Sequence, residues 1–235
     1  MKKTLWTFRD SQTFGHGCRP DGPIPEYYYN YISEGDDIWP VHLSKKLNMN
    51  LVNLGKCGAS NDYIIDCMIK NFDNINEGDY VFVGKTFYQR FDIPNNEKTE
   101  LYHVLGDLPL YKEDMKQNKD ILRSNLKSQE EYETIINFIY LFAQDKLYEN
   151  RQNLRFNFIK KRLITERKIG FYHEWSVENF NFNRESLLLG IAERILVHTN
   201  GKIKDGHFSF NDHRRLADIF YNIILRDVFD IKKII

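Results

Sequence analysis

Thr4-Leu5-Trp6-Thr7-Phe8-Arg9-Asp10-Ser11, with Gly15 and Gly17 close behind, is the stretch whose reading decides the fold. Its first five residues are short, apolar and β-prone, and the polar pair Asp10-Ser11 together with the glycines ends them. The segment therefore reads as a strand running into a loop. The same form returns at Leu51-Val52-Asn53-Leu54-Gly55 and at Tyr80-Val81-Phe82-Val83-Gly84, the latter a continuous apolar run expected of a strand covered on both faces. Between the strands, Val41, Leu43, Ser44 and Leu47 recur at helical spacing behind Pro40, which predicts a helix over 40–47. Ser60 or Asn61 caps a second helix that buries Ile64, Ile65, Met68, Ile69 and Phe72. The alternation β-loop-α-β-α-β predicts a three-layer α/β/α fold with a mostly parallel sheet, whose ligands collect at the carboxyl ends of the strands.

Downstream, residues 95–127 carry many charges and asparagines with little periodicity. Ser128-Gln129-Glu130-Glu131 is a capping box leading Tyr132, Ile135, Ile136, Ile139, Phe142 and Leu147 at helical spacing. A further helix is predicted over 151–167, with Leu154, Phe158 and Leu163 as its apolar positions, and a strand over 168–175. The last helix, 212–229, turns Leu216, Ile219, Phe220 and Ile223 inward. The expected organisation is one domain over 1–235 with a mainly helical insertion at about 95–168.

With 235 residues, 42% of them hydrophobic, the chain is long enough for a substantial core. Lysine and arginine total 33, as do aspartate and glutamate, so no global field favours nucleic acid or an anionic membrane. The seven basic residues of 151–168 read as a solvated helix face rather than a phosphate-binding surface. Cys18, Cys57 and Cys67 form no CxxC pair and fit a reducing compartment, and neither a disulfide framework nor a zinc site is expected. After Lys2 and Lys3 the apolar stretch Leu5 to Phe8 is too short for a signal peptide, and no run approaches the roughly 18 apolar residues of a membrane span. A soluble cytoplasmic protein is expected; its oligomeric state is not legible.

Acyl transfer needs a nucleophile, a base, a group that orients the base, and donors for the oxyanion. Ser11 stands just past the first strand in a glycine-rich loop, and His207 precedes the last helix in Lys204-Asp205-Gly206-His207-Phe208-Ser209. Singly, such residues are commonplace: a serine in a glycine loop is usually a turn residue, and a histidine before a helix is usually a surface or capping one. Gly58 alone is a turn glycine, Asn61 and Asp62 are helix-start residues, and His213 is read as structural.

Taken together they resemble a family. Trp6-Thr7-Phe8-Arg9-Asp10-Ser11-Gln12-Thr13-Phe14-Gly15 resembles the GDS block, FGDSxTxG, of SGNH/GDSL hydrolases. Asn53-Leu54-Gly55-Lys56-Cys57-Gly58-Ala59-Ser60 is similar to that family's second block. Asp205-Gly206-His207-Phe208-Ser209 with Asn211-Asp212-His213-Arg214-Arg215-Leu216-Ala217 resembles its fourth. The resemblance implies an SGNH-hydrolase, flavodoxin-like fold in which Ser11 is the nucleophile, His207 the base and Asp205 its orienting carboxylate. The N–H groups of Ser11 and Gly58 would bind the oxyanion, with neither metal nor cofactor.

Three positions depart from the pattern. Arg9 replaces the glycine of GDS, Thr86 stands where the third block has its asparagine, and Asp205 precedes His207 by two residues rather than three. The Thr86 hydroxyl, Asn61 and Arg90 are alternative third oxyanion donors. Arg9, Asn61, Arg90 and His16 are expected on the substrate side, and Tyr27 to Tyr29 form an aromatic platform for a sugar or acyl chain, part of the core, or a mobile loop. The expected substrate is a small-molecule or glycan ester, foremost an O-acetyl or other short acyl group on a carbohydrate. The alternatives are an O-acyltransferase using the same serine and a catalytically inactive SGNH-like module that binds a glycan or a protein.

Overall fold

Strand β1 (Thr4–Phe8) alternates its side chains between two apolar layers, and it therefore sits inside a sheet rather than at an edge. The computed structural model describes residues 2–9, 13, 38–56, 59–86, 90–94, 101–105, 134, 146–176 and 210–232. Helix α1 (Trp39–Leu47) leads to β2 (Asn50–Asn53), and α2 (Asn61–Lys70) leads through a short 3-10 turn to β3 (Tyr80–Lys85). Then come β4 (Arg90–Pro94), β5 (Leu101–Leu105), α3 (Lys146–Thr165), β6 (Phe171–Ser176) and α4 (Phe210–Lys232).

Strands β2, β1, β3 and β6 lie in that order, all parallel, with Trp6 opposite Val52 on one side and Val81 on the other. This is the flavodoxin-like doubly wound order, in which the chain reverses direction across the sheet at β1 and β3. On one face Leu5, Phe82, Phe171 and Trp175 pack against Trp39 and Leu43 of α1 and Leu216, Ala217, Phe220 and Ile224 of α4. On the other, Trp6, Phe8, Val81 and Val83 pack against Ile64, Ile65 and Met68 of α2 and Phe156, Ile159 and Leu163 of α3. Each fully buried aromatic or aliphatic side chain contributes about 1.5–3 kcal/mol of transfer free energy, so these two layers dominate the stability of the fold. The three-layer α/β/α architecture is the one expected.

Local signals explain the helix ends. Pro40 lies in the first turn of α1, and Asn48 closes the helix in the left-handed region at φ 50°. Of the two candidate caps for α2, Ser60 serves: its hydroxyl accepts the Tyr63 N–H at 3.0 Å. Asp62 in the first turn and Lys70 in the last complement the helix dipole.

Several expectations change. Helix α3 begins at Lys146, five residues before the predicted start, and its buried face is Gln152, Phe156, Ile159 and Leu163. Leu154 and Phe158, expected to point inward, are 67% and 63% exposed. The mistaken face arose because apolar residues lie all round this helix, so sequence spacing alone supports two stripes. Helix α3 packs on the sheet and lies between β3 and β6 in the chain, the position of a crossover helix. Within 95–127, a stretch of little periodicity inside the expected mainly helical insertion, β5 pairs antiparallel with β4, Phe91 opposite Val104 and Ile93 opposite Tyr102. Five-residue strands this short give too little alternation to stand out from the surrounding charges. The capping-box helix from Ser128 falls almost wholly outside the described residues, as do Tyr27 to Tyr29.

Buried polar groups tie the entry edge of the sheet together. The Asp79 carboxylate, 2% exposed, accepts the Thr4 N–H at 2.8 Å, the Trp6 indole N–H at 3.0 Å and the Asn76 N–H at 2.9 Å. Asp79→Ala strands three donors and is expected to lower unfolding free energy by about 3 kcal/mol, against under about 0.5 kcal/mol for the 96% exposed Asp73→Ala. Urea unfolding midpoints of the two variants check this.

His173 lies among Phe82, Phe171 and Phe220, with ring centroids 5.5, 6.2 and 5.5 Å away. Burial pushes its pKa below the ordinary 6.5, outweighing the opposing pull of Asp227 and Glu174. The unfolded chain therefore takes up this proton first. The stabilisation due to neutral His173 is complete above about pH 6.5 and is lost as pH falls from there towards the lower folded value. His173→Phe is expected to flatten the decline of Tm between pH 7 and 5, as thermal unfolding across that range will show.

Candidate active site

Parallel pairing places the carboxyl ends of β1, β2 and β3 on one edge, and hydrogen bonds then tie together the segments that leave them. The Lys56 N–H donates to Arg9 O at 2.9 Å, and the Asn53 side-chain amide donates to Thr13 O at 2.9 Å. Arg9 and Thr13 flank Ser11, while Asn53 and Lys56 lead into Gly58. The Asn53 amide oxygen also accepts from the Thr7 hydroxyl at 3.0 Å and from the Gly55 N–H at 3.1 Å, which fixes its orientation. Ser11 and Gly58 themselves lie outside the described residues, but their flanks are pinned to one another on this edge.

The exit of β3 joins the same edge. Asn61, 3% exposed, accepts the Thr86 N–H on its amide oxygen at 2.9 Å and donates from its amide nitrogen to Thr86 O at 2.9 Å. The same nitrogen donates to Gln152 Oε1 of α3 at 2.8 Å. Both amide protons and the oxygen of Asn61 are thus engaged inside the protein. One residue earlier, Lys85 pairs with Glu174 at 2.8 Å, and the Tyr172 hydroxyl donates to the same carboxylate at 2.8 Å. Burial alone would raise the Glu174 pKa, but Lys85 and the Tyr172 hydroxyl outweigh it and hold the carboxyl below its usual range.

Arg9 is 1% exposed, with its guanidinium carbon 3.5 Å from the centroid of the Trp175 ring. Room for it comes from Gly84: a Cβ there would lie 1.9 Å from Arg9 Cδ. The buried arginine of one strand's exit is thus matched by a glycine on the neighbouring strand. Arg9 sits beneath the edge, within the core layer, rather than in an open cleft.

The start of α4 reaches this edge too. Helix α1 runs back against the strands, since its last turn feeds β2 at the entry edge, so its first residue, Trp39, lies toward the carboxyl edge. The Trp39 N–H donates to Nδ1 of His213, which is 1% exposed. His213 therefore joins α4 to α1, as its structural reading expected. His207 and Asp205, three and five residues before α4, are outside the described residues, as is His16; for Arg90 only the backbone of β4 is described. Among the described residues no three His, Cys, Asp or Glu side chains gather as metal ligands.

Sequence reasoning missed Asn53 and Gln152. The signal for Gln152 was available: it is the polar member of the stripe Gln152, Phe156, Ile159 and Leu163. A polar side chain on a buried face needs a partner there. Three of the six basic residues of α3 are engaged within the protein: Arg155 pairs with Asp62, Arg162 with Glu166 at 2.7 Å, and Lys160 lies over Tyr172.

The class this defines is a doubly wound α/β/α protein with a candidate site at the carboxyl edge beside the β1 and β3 switch point. It is the arrangement implied by the SGNH/GDSL resemblance. No family model and no curated relative matches the chain. Among solved structures it is similar to the acetyl xylan esterase Est2A from Butyrivibrio proteoclasticus, with a TM-score of 0.44 and 11% identity over 96% of this chain. The match spans 64% of that protein. A carbohydrate esterase family 2 enzyme from Corynascus thermopiles is similar with a TM-score of 0.41 and 12% identity, over 97% of this chain and 67% of that one. A variant of the acetyl xylan esterase Axe2 from Geobacillus stearothermophilus is similar with a TM-score of 0.35 and 12% identity, over 95% and 94%. Function is therefore read from the chain's own residues.

Gly84→Ala is expected to destabilise the fold by about 1–3 kcal/mol through its clash with Arg9. Adding Arg9→Ala should then cost less than it does in the wild-type background. A double-mutant cycle of unfolding free energies measures the coupling.

Proposed function

We propose that the chain is an SGNH/GDSL-type serine esterase that removes a short acyl group, foremost O-acetyl, from a carbohydrate or small-molecule ester. In this reading Ser11 Oγ attacks the acyl carbon while His207 takes its proton, and Asp205 orients the imidazole. The carbonyl oxygen becomes an oxyanion facing the N–H groups of Ser11 and Gly58 and the hydroxyl of Thr86. Collapse breaks the ester C–O bond, the alcohol leaves with the proton from His207, and the acyl group stays on Ser11. Water, deprotonated by His207, then releases the acid and restores the serine.

The observation that carries the reading is the bracketing of Ser11. Arg9 and Thr13 on either side of it are bonded to Lys56 and Asn53, which flank the approach to Gly58. A nucleophile and an oxyanion donor must share one small space, and these bonds support their doing so. The burial of His213 against Trp39 supports His207 approaching the same edge. The acetylated-carbohydrate substrate is the preference the family resemblance suggests, and the named activities of Est2A and Axe2 belong to those proteins.

A second reading, a binding module without catalysis, draws on Arg9, whose side chain is stacked on Trp175 where the family pattern has glycine. Turnover decides between them. The wild type is expected to hydrolyse a chromogenic acetyl ester, and Ser11→Ala and His207→Ala to lower kcat by about 10³-fold or more. Release of acetate in water, compared with acetyl transfer to an added sugar, separates esterase from acyltransferase. No turnover in either format counts against both enzymes and favours the binding module.

A further inference from the structure

We infer that Asn61 is a positioning residue, a two-point clamp that sets Thr86 beside the reacting carbonyl; this deepens the esterase reading and rests on it. Thr86 directly follows the last residue of β3, where strand pairing to β1 and β6 has ended, so the sheet no longer dictates its backbone. Asn61 replaces that control by holding Thr86 at both its N–H and its C=O, each at 2.9 Å. An amide that accepts one backbone N–H and donates to the C=O of the same residue copies the pairing of a neighbouring strand. It thereby extends the order of the sheet by one residue.

Two further features make the clamp rigid. Asn61 is the first residue of α2, fixed in place by the Ser60 cap immediately before it. Its second amide proton is held by Gln152 at 2.8 Å, so rotating the side chain breaks three hydrogen bonds in a site 3% exposed. Low exposure makes each of these costly to lose. Having no amide proton to spare, Asn61 serves the reaction through Thr86 rather than as a donor to substrate. The position also lies between the two loops the mechanism needs, three residues after Gly58 in sequence and bonded to Thr86 in space. One side chain therefore ties the start of the helix that follows Gly58 in the chain to the backbone of Thr86, and oxyanion donors must be preorganised to within a few tenths of an ångström to act.

The test is a double-mutant cycle on ester hydrolysis with Asn61→Ala, Thr86→Val and the pair, each variant first shown by circular dichroism and thermal unfolding to be folded. Asn61→Ala and Thr86→Val are each expected to lower kcat by about ten- to a hundredfold with KM within about twofold, the mark of an interaction made in the transition state. In the Thr86→Val background, Asn61→Ala should cost under about threefold more, because its effect runs through a hydroxyl already removed. Gln152→Met leaves both bonds to Thr86 in place and is expected to lower kcat by under about fivefold, which also serves where Asn61→Ala is too unstable to assay. In that event Asn61→Asp, which keeps the acceptor for the Thr86 N–H, takes its place in the cycle with the same direction expected. A folded Asn61→Ala variant as fast as an active wild type overturns the inference, as does a cost that multiplies in full with that of Thr86→Val. A wild type with no turnover overturns the esterase reading itself, a separate outcome.

Discussion

Everything in this protein follows from β1 being buried on both faces and paired in parallel on both sides. A strand so placed has no solvent face, so Leu5 and Phe8 go to opposite layers and the buried Thr7 hydroxyl is bonded to Asn53. Parallel neighbours must enter and leave on the same edges, since every connection has to cross the sheet through a helix. The carboxyl ends of β1, β2 and β3 are consequently brought together before any side chain of the site is considered. Arg9, Lys56 and Thr86, far apart in sequence, become neighbours along one edge by topology alone.

Local chemistry then refines that edge. Asn53 and Asn61 do equivalent work at the ends of neighbouring elements, each setting a side-chain amide, half-buried in Asn53 and buried in Asn61, on the backbone of a loop the sheet has released. Such bonds are strong where water is excluded and expensive to leave half-made, which suits them to holding a loop rather than to moving one. The Arg9 and Gly84 pairing shows the same economy. A bulky buried cation is accommodated by the absence of a side chain at Gly84 on the adjacent strand, and its charge is set on the face of Trp175.

The sheet and its helices were legible because their signals are local and strong. Val81, Phe82 and Val83 form an apolar run, Pro40 and Ser60 mark helix starts, and Leu216 and Phe220 recur at helical spacing. What failed was ambiguous on physical grounds. Helix α3 carries apolar residues on more than one face, so Leu154 and Phe158 looked as buried as Phe156 and Ile159 until packing against β3 and β6 chose between them. The hairpin of β4 and β5 is held by pairing between short segments, which no single-strand pattern announces. At the site, Thr86 and Asn61 were identifiable as residues of interest, but not their bond to each other. Contacts across 25 positions are set by the fold, and the sequence carries no mark of them.

Covalent trapping of the nucleophile tests the account most directly. After incubation with a fluorophosphonate, intact-mass measurement and peptide mapping are predicted to find one phosphonyl adduct, on Ser11, absent when Ser11 is replaced by alanine. An adduct on a different residue, or an unmodified chain under conditions that saturate known serine hydrolases, would contradict it.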